Sequence, residues 1–196
     1  MEKAFRLLED VAPLEEGLRN YLESAFEIRD VPKGVILVRE DEICRSLGFI
    51  EKGLIRAYSF RKNGAEETYY FMKEGDVYTS VLSFFKQKKA DEFVETLEPC
   101  RIISLRYDRY MHACKTYKSF HEYRAELLEK YYLLSLEREK MLQKKGFERF
   151  CYLWDHFPGL LDRVMDKHIA SFLGITPEYF STVKEGYILR AKHIRR

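Results

Sequence analysis

Long apolar runs are missing from this sequence. No stretch approaches the roughly 20 residues needed to cross a bilayer, and the opening Met1-Glu2-Lys3-Ala4-Phe5-Arg6 has no apolar core of the secretory type, so a cytoplasmic protein that makes no membrane contact is expected. Cysteine is sparse and scattered. Cys44, Cys100, Cys114 and Cys151 include no Cys-x-x-Cys pair, which argues against a zinc site or an iron–sulfur cluster built from neighbouring thiols and leaves reduced thiols as the default. The five histidines are His112, His121, His156, His168 and His193, and none falls between residues 25 and 107. That absence removes the His and carboxylate ligand set that a metal-dependent barrel enzyme would need, so no catalytic centre, cofactor or metal is expected. Net charge is nearly absent too, at +2.

What is present is a globular composition, 46% hydrophobic and 15% aromatic in 196 residues, enough for one large domain or two small ones. The charge is unevenly spread. Residues 1–110 sum to −3, 111–145 to +3 and 146–196 to +2, so positive charge collects toward the C-terminal half. The first part, residues 3–24, carries Phe5, Leu7, Leu8 and Val11, then Leu14, Leu18, Tyr21 and Leu22, the spacing of amphipathic helices broken near Pro13. From Ala25 to Tyr107 the pattern becomes short β-branched and aromatic runs divided by turn signals, among them Pro32-Lys33-Gly34, Asn63-Gly64 and Glu74-Gly75-Asp76, which indicates an antiparallel sandwich or barrel. Asn63-Gly64 between Leu54–Phe60 and Glu67–Met72 predicts a hairpin, and Val81–Phe85 a short helix.

Glycine and proline are lacking from Ser119 to Lys145, which predicts one helix of about 27 residues and roughly 40 Å. Phe120, Leu127, Leu134 and Met141 recur every seven residues, with Tyr123 and Tyr131 beside them, and a sevenfold seam of this length favours pairing with a second copy of the chain. The alternative is a helix lying on its own domain's core. Gly146 ends the helix, and Phe147, Phe150, Leu153, Trp154 and Phe157 follow as the apolar face of another.

The stretch from Val164 to Lys184 reads as two short helices around a turn at Gly174. Ile169, Ala170 and Leu173 share a face of the first, and Ile175, Phe180 and Val183 face back from the second. Thr176-Pro177-Glu178 supplies a cap, a proline at the first helical position and an acidic first turn. This is the pattern of a helix-turn-helix, whose second helix enters the DNA major groove; an ordinary helical hairpin is the alternative. The side chains expected at DNA are Thr176, Pro177, Glu178, Ser181, Thr182 and Lys184, with Arg190, Lys192, Arg195 and Arg196 as further phosphate anchors.

Helix, β-sandwich, long helix and helix-turn-helix in this order resemble the Crp/Fnr family of bacterial transcription regulators, and the resemblance covers nearly the whole chain. Lys33-Gly34, Phe49-Ile50-Glu51-Lys52-Gly53-Leu54-Ile55-Arg56 and Phe71-Met72-Lys73-Glu74-Gly75-Asp76-Val77 resemble successive parts of the cyclic-nucleotide-binding β-roll, and Leu173-Gly174-Ile175-Thr176-Pro177-Glu178 resembles the helix-turn-helix of a compact branch of the family. The resemblance implies an α+β fold with an N-terminal antiparallel β-roll (jelly-roll) sensor domain over 1–118, a dimerisation helix over 119–145 and a helix-turn-helix domain over 146–196. It places Phe120, Leu127, Tyr131, Leu134 and Met141 at a dimer interface. The partners it implies are double-stranded DNA, a second copy of the chain and RNA polymerase.

Nucleotide-binding members carry a Gly-Glu-Leu element for the ribose and, about ten residues on, an Arg-Ser or Arg-Thr pair for the cyclic phosphate. Here the first falls on Thr79-Ser80-Val81 and the arginine near Ala90, followed by Asp91 and Glu92. Phosphate and ribose partners are both missing, and Thr79, Ser80, Ala90 and Asp91 outline a degenerate effector pocket from which cyclic AMP is not expected to gain binding energy. Two further departures concern DNA. Thr182 stands where many relatives carry a guanine-reading arginine, and the sequence given runs only twelve residues past Lys184, which leaves little room for a full β-wing. A regulatory interaction protein of the same fold that has lost DNA binding is therefore the alternative function.

Overall fold

The computed structural model describes residues 1–157 and 159–194, the last seven through their backbone alone. Arg195 and Arg196 lie outside the described residues, as do the side chains of Arg190 and Lys192. Two helices open the chain, α1 (Glu2–Glu9) and α2 (Glu16–Ala25), with the break at Pro13. Eight strands follow: β1 (Phe26–Val31), β2 (Ile36–Val38), β3 (Ser46–Lys52), β4 (Ile55–Phe60), β5 (Glu66–Met72), β6 (Val77–Tyr78), β7 (Phe93–Thr96) and β8 (Cys100–Arg106), with α3 (Val81–Lys86) between β6 and β7. The helices α4 (Tyr107–Thr116), α5 (Phe120–Leu142), α6 (Gly146–His156), α7 (Leu160–Arg163), α8 (Asp166–Leu173) and α9 (Pro177–Ile194) complete it. None of the described helices is long and apolar enough to cross a membrane.

The strands form two four-stranded sheets, β1-β8-β3-β6 and β2-β7-β4-β5. The pairs β1–β8, β3–β8 and β4–β7 are antiparallel, and β1 pairs with β8 without interruption from Phe26 opposite Leu105 to Val31 opposite Cys100. The expected mixed α+β architecture with an antiparallel β-roll is therefore present. The β4–β5 hairpin turns where the asparagine–glycine pair stands: Arg61 N–H donates to Ala65 O at 2.8 Å, and the Asn63 side chain accepts from Ala65 N–H at 3.1 Å.

The chain divides into two compact units. The first comprises Met1–Ser59 and Tyr70–Tyr132, and its core packs Leu18 and Leu22 of α2 with Ile50, Ile55, Val94 and Ile102 of the strands, all with zero exposure. The second comprises Phe60–Tyr69, which is the hairpin tip, and the chain from Leu133 onward. Its centre is Phe150, wholly buried, with ring centroids 5.8 Å from Phe180 and 5.4 Å from Tyr187. The chain thus passes from unit to unit at residues 59/60, 69/70 and 132/133, twice in the hairpin and once within α5.

Sequence reading did not identify α4. Tyr107, Tyr110 and Cys114 have helical spacing, but the strand pattern is read only as far as Tyr107 and residues 108–118 are assigned no element.

Candidate nucleic-acid interface and effector locus

The two helices α8 and α9 meet at the turn predicted for them. Ile169, Ala170 and Leu173 of α8 and Phe180 of α9 have zero exposure, Val183 is buried and Ile175 is half-buried. Gly174 has φ +64°, ψ +35°, the left-handed conformation in which glycine meets no Cβ penalty. Ile175 N–H donates back to Ala170 O at 3.0 Å, which closes the C-terminal turn of α8. Arg149 of α6 completes it: Nη1 donates to Leu173 O at 2.8 Å and Gly174 O at 3.3 Å, while Nε donates to Lys144 O at 2.8 Å. This positioning role was not read from the sequence, since it joins residues about 25 apart with no shared motif. Gly146 is the first residue of α6, and a Cβ built there would lie 2.4 Å from the Tyr179 ring, so the glycine permits close approach of α6 to α9; it does not end α5, which stops earlier, at Leu142.

The start of α9 is capped as its residues demand. Thr176 Oγ1 accepts from Tyr179 N–H at 3.2 Å. The exposed Glu178 carboxyl is held below its ordinary range, first by its own backbone N–H and then by the Thr176 hydroxyl. Pro177, Glu178, Tyr179, Ser181 and Thr182 all face solvent. The Ser181 hydroxyl donates to Pro177 O and that of Thr182 to Glu178 O, both at 3.1 Å, so each is satisfied within its own helix and can rotate to an outside acceptor. Lys184 differs from the expectation of a free phosphate contact. Its Nζ donates to Asp166 Oδ1 at 2.9 Å and Oδ2 at 3.2 Å, which ties α9 to the start of α8.

The residues of the expected effector pocket are gathered in the first unit. Thr79, Ser80 and Ala90 are buried, whereas Asp91 is exposed. The Thr79 hydroxyl donates to Ser46 O at 3.4 Å. Ala90 pairs through its backbone, donating to Glu42 O at 2.8 Å and accepting from Asp41 N–H at 2.9 Å. Of the two carboxylates following Ala90, Glu92 turns inward and Asp91 outward. Burial pushes the Glu92 carboxyl above its ordinary range, the neighbouring Ser80 hydroxyl pulls it partly back, and the Asp91 charge adds to the rise. Ser80 Oγ, wholly buried, lies against this carboxyl without completing a well-formed hydrogen bond.

Sequence reading placed Phe120, Leu127, Tyr131, Leu134 and Met141 on a seam between copies. Several of these are spent within the protomer. Phe120 is 5% exposed in the first unit's core, Met141 is 1% exposed, and Tyr123 donates from its hydroxyl to Ala12 O and Pro13 O at 3.2 Å. Tyr131 donates to Val77 O at 2.7 Å, and burial drives its hydroxyl pKa upward. Leu127 and Leu134 are half-buried. The physical reason is that apolar residues surround α5: one set packs on its own protomer, while Tyr132 at 63% and Leu133 at 50% are exposed on another side, with Ala125 also open and Leu128 and Leu136 half-buried. The sevenfold spacing picked the inward set.

Residues 28–117 match the model of the cyclic nucleotide-binding domain. No curated protein sequence matches the chain. Among solved structures the chain is similar to FixK2 from Bradyrhizobium japonicum, at 15% identity over 85% of this chain and 86% of that one with a TM-score of 0.74. It is also similar to a transcriptional regulator of the Crp/Fnr family from Eubacterium rectale, at 16% identity over 94% and 87% with a TM-score of 0.73. A third is the c-di-GMP-responsive global regulator CLP of Xanthomonas campestris, at 14% identity over 90% and 93% with a TM-score of 0.70. At these identities the structural likeness speaks for the fold, while the domain match is made by the sequence itself. Residues 28–117 thus match the cyclic nucleotide-binding domain, in a chain that carries the fold of the Crp/Fnr transcriptional regulators.

Proposed function

We propose that the chain is a homodimeric, sequence-specific DNA-binding regulator of transcription whose sensor domain does not take cyclic AMP or cyclic GMP. The observation that carries the DNA reading is the solvent-facing start of α9, where Glu178, Ser181 and Thr182 stand in a row behind a turn fixed by Gly174 and Arg149. A helix presented this way suits the major groove, with Glu178 able to accept from a cytosine amino group and the hydroxyls able to reach base edges. Phosphate contacts fall to exposed Lys144, Lys145 and Lys167 together with the basic residues beyond Lys184, since Lys184 itself is paired. RNA polymerase is the further partner that regulation of transcription requires. Dimerisation is assigned to the side of α5 bearing Tyr132 and Leu133.

The effector reading rests on charge. Ala90 stands where nucleotide-binding relatives carry an arginine, and Asp91 and Glu92 follow it, so no cation of this segment meets a cyclic phosphate. The second reading, an interaction protein that no longer binds DNA, draws on a different feature. The exposed side of α9 carries Glu178 and Glu185, and Lys184 is occupied by Asp166. Selection of bound fragments from random double-stranded DNA separates the two readings. Enrichment of a two-fold-symmetric sequence with half-sites about one helical turn apart is expected for the regulator, and no enrichment for the interaction protein.

A further inference from the structure

Within the first unit, α5 completes a main-chain group that the sheet leaves open. Asp76 O accepts from Ile50 N–H at 2.9 Å, and by the alternation of an antiparallel ladder the next carbonyl, that of Val77, turns away from β3. β6 is the outer strand of its sheet, so this carbonyl faces the sheet's edge. Tyr131 of α5 meets it there, donating from its hydroxyl to Val77 O at 2.7 Å. The preceding residue makes a second link. Lys130 Nζ donates to Asp76 Oδ1 at 2.8 Å, while Oδ2 of the same carboxylate accepts from Lys73 N–H at 3.0 Å and so holds the Glu74-Gly75-Asp76 turn. Tyr70 of β5 stands edge-on to the Tyr131 ring, with centroids 6.5 Å apart and planes at 90°. Burial raises the Tyr131 hydroxyl pKa, the Asp76 and Glu92 charges raise it further, and the Thr79 main chain pulls it partly back. The hydroxyl is therefore set among Val77, Thr79 and Glu92, residues in or next to the expected effector pocket.

We propose that Tyr131 is a built-in occupant of the effector locus, whose hydroxyl, with the Lys130–Asp76 pair, holds α5 on the β-roll in the place of a small ligand. This deepens the reading of a sensor domain that takes no cyclic nucleotide, and rests on it. A phenol suits the locus chemically: its ring meets Tyr70, its hydroxyl gives a neutral donor to a carbonyl, and it stays uncharged beside Asp76 and Glu92, where a phosphate would add like charge. Because the phenol is part of α5, its binding is intramolecular and independent of any ligand concentration. Tyr123 fastens the same helix nearer its start, donating to Ala12 O and Pro13 O, so the two tyrosines fix roughly two turns of α5 on the first unit. An effector acting at this locus has to displace Tyr131 from Val77 O, and α5 is the element that would respond.

Hydrogen exchange and thermal melting of the full-length protein, with neither DNA nor cyclic nucleotide present, test this, so a failure here and a failure of the DNA or effector reading are separate results. In Tyr131→Phe, which keeps the ring and removes the donor, the amides of 76–80 and 127–132 are expected to exchange about five- to tenfold faster, while 26–31 and 100–105 keep their native rates. Lys130→Met is expected to accelerate the same segments less, because its ion pair is partly open to solvent. Tyr131→Ala removes the ring, and phenol added as the probe is expected to raise the melting temperature of this variant and to leave that of the native protein unchanged. Native exchange rates at 76–80 in Tyr131→Phe would overturn the tether. A Tyr131→Ala variant indifferent to phenol would overturn the occupancy, and should that variant fail to fold, the Tyr131→Phe rates decide alone.

Discussion

At the Gly174 turn, Arg149 donates to two carbonyls left open by the end of α8, Thr176 caps α9, and Lys184 is neutralised by Asp166. In the β-roll, the wholly buried Ser80 hydroxyl lies against the Glu92 carboxyl, which burial pushes above its ordinary range and Ser80 pulls only partly back. The two loci belong to one fold, yet buried polar groups are compensated by charged partners at one and only in part at the other. Satisfied polar groups fix the turn that presents the side chains proposed to read DNA. Partly compensated burial at Glu92 is a cost that the folded state carries.

The largest effect that sharpens this contrast comes from the helix serving both units. Leu133→Glu is expected to convert the dimer to monomers, because each copy would bury an unpaired carboxylate at a cost of several kcal/mol. Leu134→Glu, on the half-buried side, is expected to lower thermal stability instead. Sedimentation equilibrium and thermal melting on the two variants check the pair, and the opposite pattern would restore the seam read from the sequence.

At the turn, Ala170 has zero exposure, so a larger side chain there has to displace buried neighbours. Ala170→Leu is expected to destabilise the protein by about 1–3 kcal/mol through overpacking. Denaturant melts followed by Trp154 fluorescence would detect it, since this single tryptophan lies on α6 in the affected unit. Glu178→Ala leaves the platform intact and is expected to relax preference at one base pair of each half-site, by about 1–3 kcal/mol for a good contact. Selection repeated with the variant checks this, and a uniform loss across all sequences would mean that α9 is wrongly oriented.

In the β-roll the expected effect is smaller and depends on pH. Glu92 has a folded pKa raised above its ordinary 4.5, so the folded state binds its proton more tightly than the unfolded state. The stability this contributes is full below about 4.5 and is lost as pH rises through the raised folded value. Glu92→Gln should therefore stabilise the protein at neutral pH, and the gain should shrink as pH falls toward the ordinary carboxyl range. Thermal melts across that window check it. A gain independent of pH would show that the carboxyl is not the source of the cost.

The contrast also explains what could be read in the sequence. The hairpin at Asn63-Gly64, the helix at Val81 and the helix-turn-helix were legible because each depends on residues within a few positions of one another: a turn pair, a cap, a glycine after an apolar face. Which carboxylate turns inward was not, since Asp91 and Glu92 are adjacent and their directions follow from the pairing of Ala90 with residues 41 and 42. Which side of α5 meets a partner is not legible, because its seam and its exposed side are both apolar, and periodicity alone does not tell a protomer's own core from a partner's. Arg149 at the turn and Ser171 at the hairpin join residues 25 and more than 100 positions apart, beyond the reach of any local pattern.

A regulator of the proposed kind binds DNA without a cyclic nucleotide. The native protein is titrated onto a selected DNA fragment and followed by fluorescence anisotropy at low and moderate salt, with and without cyclic AMP. Saturable, sequence-preferring binding that weakens with salt through released counterions and is the same with or without cyclic AMP is expected. Absence of sequence preference, or binding that appears only when cyclic AMP is added, would overturn the proposed function.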